Sequence, residues 1–238
     1  MTTDKSDPAA ALIAAIRTGD LASLQRLLAA DPGLAAAPIG AAGGRTPLHV
    51  ATDWPGYYPG GPAVVRMLIQ AGADPNARTA GGPAPETPLH WAASSDDADV
   101  AEALIDGGAD IEAAGGSIGT PLDNAVGYGC WHVARLLAAH GARVDKLWQA
   151  AALGILARVE ELLAASPAPG TEEITEAFWQ ACHGGQRRAA ELLLGHGAQI
   201  NGIPGYSQQT AAQVAAGPDT RREILVTWLR GLASGAAT

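Results

Sequence analysis

The sequence predicts an all-α repeat fold, and three observations carry that prediction. Apolar residues make up 47% of the 238-residue chain, yet aromatics are only 5% and Phe occurs once, so Ala and Leu supply most of the apolar content. Ala favours helices and disfavours strands. The chain also holds 30 Gly and 16 Pro, both helix breakers, which suits many short helices joined by punctuated turns. Finally, one stretch recurs: "RTPLHVA" from Arg45, "ETPLHWA" from Glu86 and "GTPLDNA" from Gly119.

Each of these openings is followed by a second apolar stripe and a glycine stop: "RMLIQAGADPNA", "EALIDGGADIEA" and "RLLAAHGARVDK". A weaker copy reads "TEAFWQA" and then "ELLLGHGAQING". With the Thr position as the origin, copies fall at Ala10, Thr46, Thr87, Thr120, Asp145, Glu176 and Thr210. The motif has a physical reading. Thr caps a helix, and Pro suits the first turn because its missing N–H has no partner there in any case. Leu and Ala at helical spacing face a neighbour. The Gly of "GAD" accepts the left-handed conformation that closes the second helix. A lone hairpin of this kind cannot bury its apolar face, whereas stacked neighbours can.

On these motifs the chain resembles the ankyrin-repeat family, with its period of about 33 and its T-P-L-H-x-A signature. The expected architecture is an ankyrin-repeat solenoid of about seven helix-turn-helix units with degenerate terminal caps. The units fall at about 8–44, 45–85, 86–118, 119–144, 145–174, 175–208 and 209–235, in a single domain spanning 1–238. Leu68, Leu104 and Leu136 are expected to form a continuous spine. The resemblance assigns His49 and His90 to hydrogen bonds that tie adjacent units. Asp123, Trp148, Trp179 and Gln213 are read as taking that place in other copies. The terminal units carry "IRTGDLASLQRLL" and "TRREILVTWLRGL", whose polar residues suit outer faces that meet water.

A formal charge of −9 argues against a nucleic-acid partner, which wants Lys and Arg, and disfavours anionic membranes. Cys130 and Cys182 are the only cysteines and fit no disulfide framework. The N-terminus lacks the basic start and cleavage site of a signal peptide, and no run is long enough to span a membrane, so a cytoplasmic location is expected.

For function, the second unit is the informative one. "TDWPGYYPGGP" (52–62) is an irregular insertion that brings Trp54, Tyr57 and Tyr58, and loops that lengthen in repeat proteins often bind. The resemblance places further contact residues just before the Thr and just after the Ala pair: Asp53 and Trp54, Glu86, Ser94 and Ser95, and Tyr128, with Ala152 and Leu153 giving an apolar patch further on. The expected role is non-catalytic recognition of a protein partner by these residues with Tyr57 and Tyr58. The alternative is a small-molecule site or enzyme pocket built from Asp53, Trp54, Tyr57, Tyr58 and Tyr128. No GxSxG, HExxH or GxxxxGK[ST] signature is present. No cofactor and no metal are expected; "CWH" at 130–132 and "CH" at 182–183 stand a whole repeat apart.

Overall fold

The structure is a computed structural model, which describes residues 7–40, 44–80, 84–217 and 223–233. It is all-helical, and its only β contact among those residues is a single bridge between Ile39 and Arg45. The chain packs as two compact units, Met1–Ala142 and Arg143–Thr238.

The first unit holds four helical hairpins: α1 (Pro8–Thr18) with α2 (Leu21–Ala30), α3 (Pro47–Ala51) with α4 (Gly61–Gln70), α5 (Pro88–Ser94) with α6 (Ala98–Asp106), and α7 (Pro121–Gly127) with α8 (Trp131–Ala139). The second unit pairs α9 (Leu147–Leu153) with α10 (Leu156–Leu163), α11 (Thr171–His183) with α12 (Arg187–Gly195), and α13 (Ala211–Ala215) with α14 (Glu223–Ala233). Thr220, Arg221 and Arg222 of the expected terminal cap lie outside the described residues.

The short first helices exist because their ends are capped. In the second hairpin, the Thr46 N–H and Oγ1 both reach His49 Nδ1, at 3.2 and 2.9 Å. Nδ1 therefore accepts, so Nε2 carries the proton and donates 3.0 Å across to the Glu86 carbonyl of the next hairpin. The same arrangement repeats at Thr87 and His90, whose Nε2 lies 3.1 Å from the Gly119 carbonyl. In α7, Asp123 Oδ2 takes the capping half of the task, accepting from the Thr120 N–H at 2.8 Å. Gln213 caps Thr210 in the same way, at 2.8 Å. In α11 the inter-hairpin half survives instead: the Trp179 indole N–H donates to the Gln209 carbonyl at 2.8 Å.

The second helices end as the "GAD" pattern requires. Gly72, Gly108 and Gly141 take positive φ of 102°, 94° and 89°. The following N–H then closes onto the helix, as Ala73 does onto the Leu68 carbonyl at 3.0 Å. Leu68 and Leu104 are fully buried, but the matching residue of α8 is Leu137, with Leu136 only half-buried. The spine expected through Leu136 is thus shifted by one residue. "RLLAAHGAR" aligns Arg135 with Arg66 and hence Leu137 with Leu68.

Two further registers differ from expectation. The fifth copy is capped at Lys146, not Asp145, so Gln149 holds the histidine place and accepts from the Lys146 N–H at 3.1 Å. Gln149 is buried, whereas Trp148 stands one residue aside and half-exposed. Helix α11 starts at Thr171, ahead of the expected origin at Glu176 and across the expected boundary at 174/175. Gly170 precedes it, and Glu172 and Glu173 in its first turn complement the helix dipole. In the second unit, Phe178 is completely buried at the centre of a core with Leu147, Val159 and Leu193.

Burial, first of all, holds the His49 and His90 imidazoles below their ordinary value of 6.5. A depressed folded-state value means the unfolded chain binds the extra proton first. The stability from these residues is therefore complete above that ordinary value and declines as pH falls through it toward the folded-state values. We expect the urea midpoint to drop between about pH 7 and pH 5.5, and to drop less in a His49→Gln/His90→Gln variant, which caps without titrating. Denaturant melts across that range check this; equal pH slopes for the two proteins would assign the acid sensitivity elsewhere.

Candidate functional site

The first unit carries an open concavity of about 210 Å³. Six of the sequence-selected residues line it: Asp53, Trp54, Glu86, Ser94, Ser95 and Tyr128. They come from three successive hairpins, at or near the ends of the short first helices. Trp54 and Tyr128 are the exposed aromatics of the lining, at 78% and 54%.

The two carboxylates are already engaged. Asp53 Oδ2 receives Arg45 at 2.9 Å and lies 3.6 Å from Arg17. Glu86 Oε1 accepts from the Ser117 N–H at 2.8 Å and from Asn124 Nδ2 at 2.9 Å. Burial pushes the Glu86 carboxyl upward, but these donors and the nearby His90 outweigh it and hold it below the usual range.

Three lining or supporting residues were not picked out from the sequence. Asn124 is completely buried and joins both walls: its amide donates to Glu86, and its Oδ1 accepts from the Ile118 N–H at 3.1 Å. Its signal was a polar residue in "TPLDNA" where the other copies carry Val50 and Trp91. Ser117 holds Glu86 through its N–H, and its hydroxyl lies 3.2 Å from the Tyr128 hydroxyl. Trp91 lines the concavity while meeting the His49 ring edge-on at 5.1 Å.

Tyr57 and Tyr58 do not join this lining. The Tyr57 N–H donates to Asp97 Oδ2 at 2.7 Å, and its hydroxyl donates to the Asp96 carbonyl at 2.6 Å. Its ring is 65% exposed on that side of the insertion. Tyr58 is half-buried, and its carbonyl accepts from the Gly61 N–H at 3.0 Å. The four-aromatic pocket expected as the alternative is therefore reduced to Trp54 and Tyr128.

A second group of reactive side chains sits at the start of α8. Asp96 caps that helix, accepting from the His132 and Val133 N–H groups at 2.9 and 3.0 Å, and lies 2.7 Å from His132 Nδ1. Cys130 adjoins them, but burial pushes its thiol up to about 11, the opposite of an activated nucleophile. Among the described residues, no three His, Cys, Asp or Glu side chains converge as metal ligands, and no helix is long and apolar enough to cross a membrane.

Residues 58–146 match the family model for ankyrin repeats (3 copies). That segment carries ankyrin repeats. The fold of the chain is similar to that of the ankyrin repeat domain of human ASB11, solved as a crystal structure, with a TM-score of 0.54 at 21% identity. The similarity covers 92% of this chain and 96% of that one. In this repeat protein the matched segment includes Glu86, Trp91 and Tyr128, while Asp53 and Trp54 lie just ahead of it.

Replacing Asn124 by Leu removes one donor from Glu86 and an acceptor from Ile118 inside the protein. The expected cost is about 1–3 kcal/mol of stability, together with a rise in the Glu86 carboxyl pKa. Urea unfolding measures the first and a carboxyl-carbon NMR titration the second; an unmoved Glu86 titration would remove Asn124 from the site's electrostatics.

Proposed function

We propose that the protein is a non-catalytic recognition module that grips a partner protein through the concavity between its second, third and fourth hairpins. One observation carries the reading. Two exposed aromatics, Trp54 and Tyr128, stand in a hollow of mixed polar and aromatic lining assembled from three successive repeats. Large, rigid aromatic side chains are the usual anchors of protein interfaces. The volume favours the same reading. A hollow of about 210 Å³ is below the roughly 300–1,000 Å³ of small-molecule pockets and suits one or two side chains of a partner. The ankyrin-repeat fold agrees with it, since repeat surfaces are generally used for protein binding.

The small-molecule or enzyme alternative has less support. Asp53 is ion-paired with Arg45 and Arg17, and Glu86 accepts from Ser117 and Asn124, so both carboxylates already serve structural contacts within the fold. Catalytic acids and bases also work best shielded from water, which an open hollow does not provide.

The double variant Trp54→Ala/Tyr128→Ala tests the proposal. Both side chains are exposed, so far-UV circular dichroism and the melting temperature are expected to stay unchanged while capture of the native partner weakens by about ten-fold or more. Undiminished capture by a fully folded double variant would move the binding face away from this concavity.

A further inference from the structure

The second unit contains a larger cleft, of about 590 Å³, whose walls include Glu172 and Glu176 on α11 and Gln199, Ile203, Pro204 and Tyr206 on the finger that follows α12. Both walls arise where this repeat departs from the pattern of the others. Helices α3, α5, α7, α9 and α13 begin two residues before the residue in the histidine place, at Pro47, Pro88, Pro121, Leu147 and Ala211. Helix α11 instead begins at Thr171, and the added turn presents Glu172 in line with Glu176, four residues on. The opposite wall is the "GIPGY" finger, which leaves Ile203 46% and Tyr206 63% exposed.

The tyrosine is fixed in place. Its hydroxyl accepts from Gln180 Nε2 at 3.0 Å, and its ring meets Trp179 edge-on at 6.0 Å. The finger is pinned at its root by the Gln199 N–H, which donates to Thr175 Oγ1 at 3.0 Å. The cleft thus combines a held aromatic face, an apolar strip of Ile203 and Pro204, and two carboxylates. No Lys or Arg lines it, and neither glutamate has an ion-pair partner among the described residues. Glu176 meets the Tyr206 hydroxyl, but no cation pairs with either glutamate among the described residues, whereas Asp53 in the first unit's concavity is already paired with Arg45 and Arg17.

We propose that this cleft is a second binding site, one that receives an arginine side chain from an exposed segment of a partner protein. Charge complementarity selects a cation. The choice of arginine over lysine follows from geometry: a planar guanidinium stacks on a tyrosine face and bonds a carboxylate through two parallel N–H groups, whereas an ammonium does neither. The methylene stem of the arginine lies along Ile203 and Pro204, burying apolar surface while its head stays with the glutamates. A volume of about 590 Å³ admits the side chain with its own backbone and part of a neighbouring residue.

The test uses the whole protein and four-residue capped peptides carrying one arginine, one lysine or one citrulline, the last a neutral match for arginine in shape. Two-dimensional NMR is expected to show arginine-dependent shifts at Gly202, Gly205 and Tyr206, weaker ones with lysine and none with citrulline. In Glu172→Gln/Glu176→Gln the arginine affinity should fall by about ten-fold or more and lose its salt dependence. The Trp179 indole signal, held by Gln209, reports that the variant is folded. Equal binding of citrulline, unchanged affinity in the double variant, or shifts confined to Trp54, Trp91 and Tyr128 would each overturn the proposal. Equal affinity for lysine would overturn the choice of arginine.

Discussion

A buried imidazole that works on both sides at once is the constraint on which the first unit's repeats depend. His49 and His90 each accept from their own helix cap through Nδ1 and donate to the next hairpin through Nε2. A five-residue helix such as α3 is far below the length at which a helix is stable alone. It persists because its cap, its register and its neighbour are fixed by one side chain. The apolar faces follow from that alignment: Leu48, Leu89 and Leu122 are all buried at matching positions. The alanines behind them, such as Ala92 and Ala93, keep the helices close enough for neighbours to cover what no hairpin covers by itself.

The other copies show which half of that bridge can be relinquished. Asp123, Gln149 and Gln213 keep the cap with a side-chain oxygen. Trp179 has no acceptor and keeps only the long reach to the next carbonyl. Helix α11 therefore needs another way to begin, and it does so further upstream, at a glycine followed by acidic residues. The same repeat thus carries both the substitution and an earlier helix start, and the added residues supply one wall of the larger cleft.

Most of the repeat architecture was legible because Thr-Pro starts and Gly stops are local signals whose chemistry does not depend on tertiary context. Errors came where a local signal had two readings. Asp145 is as good a cap by type as Thr, which hid the true start at Lys146; two adjacent leucines in α8 hid the one that faces inward. Six residues of the concavity could be placed from repeat register alone. Asn124 and Ser117 could not, since both act through Glu86, 38 and 31 residues earlier in the chain, at 2.9 and 2.8 Å. Trp91 lies in a core-like sequence position yet reaches the surface hollow, because its ring rests edge-on against His49 instead of within the stack.

The insertion at 52–62 shows why an irregular loop can still present a rigid anchor. Tyr57 has a φ of 56° and Asp96 of 55°, a left-handed conformation that is uncommon for such residues and costs of order 1 kcal/mol each. Both are held by hydrogen bonds to buried or capping groups: the Tyr57 N–H to Asp97, which is itself buried and caps α6, and Asp96 to the start of α8. Gly56, with a φ of 76°, lets the chain pass where a Cβ would lie 3.1 Å from that of Ser95. On the other side the turn at Gly19 touches the Pro59 carbonyl so closely that any side chain there would collide. The loop is clamped between the first and third hairpins, and Tyr57 is consumed in the clamp. The backbone that carries Trp54 is thereby held on both sides of the insertion, while its side chain is left exposed.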